Sequence, residues 1–228
     1  MTYNYWRKGG YTVGSEDYRW AIVKEKVGPG LFFIFNILFV STAQSVLLWS
    51  ITTPSYIILL ASRLSLHSGS MPSVSIADIA APMLMVVYVG ITYAADQQQW
   101  DYYSARTEYR KTAKVPAGYE QGDLDRGFNT KGLFAVSRHP NFASEQCIWV
   151  TLYLWGCYVS GTWANWTGVG ALSYLILFQA STWLTELLSA DKYPEYKEYQ
   201  RQVGKFMPNF GAKPVQFSKV VGNKANKA

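Results

Sequence analysis

Ser137, Arg138, His139, Asn141 and Glu145 lie within nine residues, and an apolar run begins directly after them at Cys147. An ionisable group held at membrane depth costs roughly 2.5–3.5 kcal/mol on insertion scales unless it lines an enclosed or wet cavity. A chain that keeps an arginine, an asparagine and a glutamate at the mouth of a membrane helix is expected to hold a polar ligand with them. The alternative is a helix-capping loop at the headgroup level.

A second strip carries complementary chemistry. Asp96, Gln99, Tyr103, Arg106 and Arg110 recur at three- and four-residue spacing, so in a helix they share one face. A carboxylate can accept from an adenine amine or a ribose hydroxyl, while guanidinium forks take phosphates bidentately. That combination suits a nucleotide; the plainer reading is a solvated helix surface. A third stretch repeats Tyr193, Tyr196 and Tyr199 beside Lys192 and Lys197. It reads either as an amphipathic helix on the headgroups, with snorkelling lysines and anchoring tyrosines, or as a lid whose tyrosines touch the ligand.

These residues need elements to position them. Mean hydropathy is −0.03, but the apolar residues are blocked, not spread. Residues 31–52, 79–95, 146–163 and 167–185 carry no charge, and about 20 apolar residues cross a hydrocarbon core of roughly 30 Å. Four transmembrane helices are therefore expected in an all-α membrane protein. The second runs on to Lys111 with no Pro or Gly before Pro116, and Pro54 leaves 56–66 as a kinked continuation or an interfacial turn. The third and fourth make a tight hairpin flanked by Trp163 and Trp166. Asn165 and Thr167 spell a glycosylation sequon there, expected to be a chance match so close to the bilayer.

The domain expectation is a lead-in at 1–30, a membrane-embedded domain at 31–210 and a basic tail at 211–228. Twenty of the twenty-one Lys and Arg fall in 1–30, 96–145 and 186–228, and only Arg63 lies elsewhere. The positive-inside rule then puts both termini and the central loop in the cytosol, and four crossings satisfy it. The pI near 9.2 is assigned to this topology and an anionic ligand, not to nucleic acid. No cleavable signal peptide is visible in the polar, aromatic first 27 residues. Cys147 and Cys157 are expected to be structural thiols, not a disulfide. Two histidines, His67 and His139, cannot build a histidine-rich metal centre, so no metal is expected. Neither a dinucleotide Gly-x-Gly-x-x-Gly motif between strand and helix nor a Walker-type lysine is present. A dinucleotide would have to be bound by helices and loops.

Three segments together resemble the carboxy-terminal domain of the steroid 5-alpha-reductase family, in its uncharacterised branch. They are Ala95-Asp-Gln-Gln-Gln99, the stretch Gly132-Leu-Phe-Ala-Val-Ser-Arg-His-Pro-Asn-Phe-Ala-Ser-Glu145, and Lys192-Tyr-Pro-Glu-Tyr-Lys197 followed by Phe206-Met-Pro208. Sterol C14 reductases and isoprenylcysteine carboxyl methyltransferases are more distantly similar. The likeness covers about residues 1 to 210. It implies an all-helical domain that binds NADPH from the cytosolic side, in the endoplasmic reticulum membrane. The family's cofactor contacts match Asp96, Asn141, Glu145 and Tyr193, and Arg138 takes the arginine position of the sterol-reductase version. Gln99 and Lys197 fall within the same segments. Arg106 and Arg110 are the phosphate candidates on helical phase alone.

Family members also carry two or three earlier membrane helices bearing substrate residues, and this chain begins where those should end. Tyr3 or Tyr5, before Arg7, is the expected counterpart of a tyrosine that donates to the substrate carbonyl, with Tyr5 taken as the catalytic candidate. The leading expectation is an NADPH-dependent reductase of a conjugated carbon–carbon double bond in a lipid or sterol-like substrate. The rivals are a methyltransferase using S-adenosylmethionine and a non-catalytic membrane module. Four cations at Arg106, Arg110, Arg138 and Lys197 favour the phosphate-bearing cofactor.

Overall fold

The computed structural model describes residues 2–14, 18–67, 74–211 and 215–217, and among them every regular element is helical. Two short helices, α1 (Thr2–Arg7) and α2 (Tyr18–Val27), precede α3 (Pro29–Phe35). The break before α3 follows from Gly28 at φ 81° and from Pro29, whose missing N–H is harmless in a first turn. An eight-residue π-helical stretch, Asn36–Ala43, leads into α4 (Gln44–Thr52). Pro54 then starts α5 (Pro54–His67), which resolves the expected ambiguity after the first span as a further helix.

Helix α6 (Ile76–Thr112) runs 37 residues, about 55 Å at 1.5 Å per residue. A reciprocal cap opens it: the Asp78 carboxylate accepts from the Ser75 amide (2.8 Å), and the Ser75 hydroxyl oxygen accepts from the Asp78 amide (3.3 Å). It ends where Ala113 turns left-handed at φ 56°, with Pro116 beyond. After α7 (Gln121–Arg126) and a 3-10 turn (Gly132–Ala135) come α8 (Pro140–Ser160), α9 (Gly168–Lys192) and α10 (Tyr196–Gln202).

Two helical stretches among the described residues, Pro29–Leu64 and Ile76–Thr112, are long and apolar enough to cross a membrane. Helices α8 and α9 have the length, 21 and 25 residues, but mix Gln, Ser, Thr, Trp and Tyr into the apolar run. The expected basic tail lies mostly outside the described residues, as does much of the serine-rich loop after α5.

The chain divides into two compact units, Met1–Ala81 with Trp149–Leu175, and Pro82–Ile148 with Ile176–Ala228. In the first, α9 meets α4 at Gly170, where an added Cβ would strike the Ser50 carbonyl. Small residues permit such backbone approach between apolar helices. The Trp155 indole donates to Asp78 across the same unit (2.8 Å). In the hairpin turn the Asn165 side chain donates to the Thr162 carbonyl (3.2 Å) and accepts from the Thr167 amide (3.1 Å). The sequon asparagine is thus part of the turn itself.

The second unit has a core of Phe128, Tyr196, Tyr199 and Val203, with Tyr193, Val215 and Phe217 packed on it. Here the structure differs from the surface-helix and lid readings of the tyrosine repeat. Tyr199 is 2% exposed, and its hydroxyl donates to the Phe134 carbonyl (2.5 Å). The triplet spacing recorded tyrosines that face protein, not headgroups. Both cysteines are free thiols.

Candidate functional site

Backbone geometry first fixes the segment 132–145. Gly132 sits at φ 63°, and a Cβ there would collide with the Gln98 carboxamide. That close approach lets Gln98 Oε1 accept from the Leu133 amide (2.9 Å). On its other side the chain after α10 pairs with it. Arg138 and His139 donate their amides to the Gly204 (2.9 Å) and Lys205 (3.1 Å) carbonyls, and Asn209 donates back to Val136 (3.0 Å).

The side chains of Arg138 and His139 then converge on Glu186 of α9. Arg138 Nε lies 2.6 Å from Glu186 Oε1 and its second fork nitrogen 3.1 Å from Oε2. The remaining guanidinium nitrogen donates to the Gln200 carbonyl (2.9 Å) and to that of Val203. His139 Nε2 stands 3.0 Å from Glu186 Oε1, and the Gln200 carboxamide donates to Oε2 (3.1 Å). Burial of Glu186 favours its neutral form, yet the hydrogen bonds from His139 and Arg138 outweigh that and hold the carboxyl down at about 2. Arg138 is therefore occupied by the protein, not presented to an incoming phosphate.

Just beyond, α8 begins at Pro140 and projects Asn141 and Glu145 one turn apart. Asn141 Nδ2 donates to Asp96 Oδ1 at 3.0 Å, and Asn141 Oδ1 accepts from the Phe142 amide. Two residues chosen from separate segments, 45 positions apart, are thus in direct contact. Glu145 is half-buried. One turn along α6 from Asp96, the Gln99 Oε1 atom is buried and has no hydrogen-bond partner. An unmet buried acceptor costs about 1–3 kcal/mol, so a ligand N–H or O–H would be stabilised there.

Further along α6 the expected common face divides. Arg106 is 8% exposed, donates Nε to the Leu124 carbonyl (3.1 Å) and lies 5.7 Å from the centroid of the Tyr193 ring. Gly127, at φ 93°, leaves room for both, since a Cβ there would meet Tyr193 and Arg106. Tyr103, Arg110 and Lys197 are exposed. Tyr5 belongs to the other compact unit, its ring edge-on to Tyr11 at 4.9 Å. The structure therefore brings Asp96 to Asn141 and Arg106 to Tyr193, and turns Arg138 inward.

Sequence reasoning missed Glu186 and Gln98. One signal for Glu186 was present: it is a single carboxylate closing the uncharged run 167–185, and such a group needs a cation partner at the same depth. As a set, Asp96, Gln99, Asn141 and Glu145 offer two carboxylates and two carboxamides suited to hydroxyls or a carboxamide. Arg106 and Arg110 add positive charge further out. Together these groups can bind a polar ligand that offers hydroxyls or amides. No group of three or more His, Cys, Asp or Glu able to hold a metal occurs among the described residues.

Residues 1–203 match the family described as Protein of unknown function (DUF1295). The chain is 42% identical over 211 residues to Uncharacterized protein C594.04c of Schizosaccharomyces pombe, covering 91% of this chain and 59% of that protein. It thus spans a little under two thirds of that relative's length. No solved structure matches it.

Proposed function

The chain belongs to the DUF1295 family, and within that family we propose a membrane-embedded reductase that uses NADPH to saturate a conjugated carbon–carbon double bond in a lipid or sterol-like substrate. The observation that carries this reading is the Asp96–Asn141 contact at 3.0 Å, with the unmet Gln99 acceptor a turn away. Polar groups chosen for nucleotide chemistry converge at the end of an apolar helix. When bound, the dihydronicotinamide would supply a hydride. Asp96 and Glu145 would accept from ribose hydroxyls or the carboxamide, and Asn141 would orient whichever group lies between them. Arg106 and Arg110 would hold phosphate oxygens. The Tyr193 ring packed against Arg106 would keep that guanidinium aimed.

In this reading the chain crosses the endoplasmic reticulum membrane four times with both termini cytosolic. Large apolar side chains stand exposed along all four helical regions, among them Phe33 (66%), Met83 (65%), Tyr158 (53%) and Val169 (65%). In water such faces are aggregation-prone; in lipid they are at home. Cysteines substituted for Lys114 and Thr162 test the topology. An impermeant maleimide applied from the cytosol should modify the Lys114 site and spare the Thr162 site. The reverse pattern overturns the orientation.

Inward use of Arg138, together with the burial of Arg106, leaves Arg110 and Lys197 as the exposed members of the four expected cations, which narrows the margin over S-adenosylmethionine. The deciding experiment is titration of the purified protein with NADPH, NADH and S-adenosylmethionine. NADPH should bind most tightly, because a 2′-phosphate rewards cations that a ribose hydroxyl does not. A charge-assisted hydrogen bond is worth roughly 1.5–3 kcal/mol, so Arg110→Ala should weaken NADPH about tenfold. Equal affinity for NADPH and NADH, or preference for S-adenosylmethionine, ends this reading.

A further inference from the structure

The chain after α10 is tied to the level at which α6 leaves its apolar run. Residues 79–95 of that membrane-crossing candidate are uncharged, and Asp96, which ends the run, accepts from Asn141. Just before Asn141, the segment 136–139 is bonded to the loop 204–209. Arg138 and His139 donate their amides to the Gly204 and Lys205 carbonyls, and Asn209 donates back to Val136. The Ser137 hydroxyl donates to the Phe206 carbonyl (3.1 Å). The loop is therefore pinned beside the boundary of the α6 span. On α9 the surface at that level is still apolar, with Leu187 exposed next to Glu186. On the loop itself, Met207 (81%) and Phe210 (85%) are more exposed than any other large apolar side chain described in the second unit. Three of its carbonyls, 204 to 206, already accept hydrogen bonds and Pro208 carries no N–H, so its backbone leaves water at reduced cost. Charge around it has one sign. No Asp or Glu follows Glu198, whereas Arg201, Lys205, Lys213, Lys219, Lys224 and Lys227 do. Arg201 is exposed at the end of α10, and the Lys205 ammonium stands 5.9 Å from the centroid of the Phe206 ring.

Resting on the membrane topology proposed above, we propose that the loop 204–210 is a finger seated in the cytosolic leaflet. Met207 and Phe210 lie at the acyl boundary, and anionic phospholipid headgroups lie against Arg201 and Lys205. Two apolar side chains fall far short of the roughly 800 Å² per partner that a stable protein interface buries. An aromatic and a thioether flanked by cations are what an anionic lipid surface takes. The finger shares its backbone with the Arg138 network, because the Val203 and Gly204 carbonyls both accept from Arg138. Lipid that holds the finger therefore braces the turn from which Asn141 and Glu145 project.

Photocrosslinking tests this without turnover. Photoreactive p-benzoylphenylalanine is placed at one position at a time in the full-length protein, in place of Phe210, Val89 or Val115, all exposed. Each protein is reconstituted into vesicles of phosphatidylcholine with a minority of phosphatidylserine, irradiated, and read by mass spectrometry of its adducts. Position 210 should give lipid adducts in which phosphatidylserine exceeds its share of the vesicle about fivefold, the ratio that one cation near a membrane surface confers. Position 89, inside the α6 span, should give lipid adducts at the bulk ratio. Position 115, past the end of α6 and about 24 Å of helix beyond Asp96, should give none. Arg201→Gln with Lys205→Gln should bring the ratio at 210 down toward the bulk value and leave that at 89 unchanged. No lipid adduct at 210, adducts to a second protein chain in its place, or phosphatidylserine only at its bulk share overturns the finger. A ratio at 210 untouched by the double substitution overturns the headgroup assignment. Absence of lipid adducts at 89 instead overturns the spanning reading, and position 210 still decides whether the loop docks on lipid.

Discussion

Glu186→Ala should cost about 3–5 kcal/mol of stability, the range seen when one partner of a buried ion pair is removed and the other charge is left in place. The Arg138 side chain has two further contacts, the Gln200 and Val203 carbonyls, but two of its nitrogens face Glu186 and would be left without a counterion. The depressed acidity of Glu186 points to the same order of magnitude. The carboxyl is held at about 2 in the fold against an ordinary value of 4.5, and at 1.36 kcal/mol per pKa unit that is about 3 kcal/mol at neutral pH. The sign follows from the depressed value. The stabilisation is complete above pH 4.5 and is lost as pH falls from there toward 2. Thermal unfolding in detergent at pH 7 and at pH 3.5 checks both points. Glu186→Ala should unfold far lower at pH 7 and lose the acid sensitivity that the wild type shows between the two. Replacing the pair together, Arg138→Met with Glu186→Leu, should recover most of the loss. A Glu186→Ala protein as stable as wild type would mean the network carries no weight.

Asn141→Ala and Glu145→Ala are expected to abolish NADPH binding, a loss of at least a hundredfold, while the protein stays inserted and folded. Asn141 is the second residue of α8, so it is not the residue preceding the helix that usually caps the first turn. Its Nδ2 is directed at Asp96 and its Oδ1 at the next amide. A mere cap would cost about 0.5–2 kcal/mol of stability and spare the ligand. Cofactor affinity and melting temperature, measured on the same preparations, separate the two. Unchanged affinity with a lowered melting temperature would reduce the segment to a capping loop.

Local rules made much of the scaffold readable. α6 outruns its apolar stretch because nothing before Pro116 interrupts it, and it does end at Thr112. α8 starts at Pro140 because proline fits a first helical turn, six residues before the uncharged run expected to form the third span. Asp96 and Asn141 were chosen independently, each for its chemistry, and they touch. What stayed hidden was partnership across the chain. Arg138 and Glu186 are 48 residues apart, and no periodicity reports that a guanidinium turns inward. Tyr196 and Tyr199 have the spacing of interfacial anchors; only the presence of Phe128 above them makes them core. Arg106 and Arg110 share a helical phase, yet one is buried and one exposed, because α7 and its loop cover one edge of that face and not the other.

The closure of the Arg138 network also sets an order of events during synthesis. Arg138 emerges from the ribosome before any of its acceptors, which are Glu186, Gln200 and Val203. Until α9 is made, Arg138, just before α8, has no counterion, and in the proposed four-span arrangement α8 entering the bilayer alone would draw it there. In that arrangement the short turn between α8 and α9, residues 161–167, would let the two enter as one hairpin that brings Glu186 to Arg138 on arrival. Even then the last two carbonyls come from α10 and its end, so the first turn of α8 is finished only after residue 203 is available. A ribosome stalled anywhere before that point would hold a nascent chain in which the Arg138 network is still incomplete. In the cell, quality control would meet this protein as a late-maturing client, vulnerable for longest at the residues on which its chemistry depends.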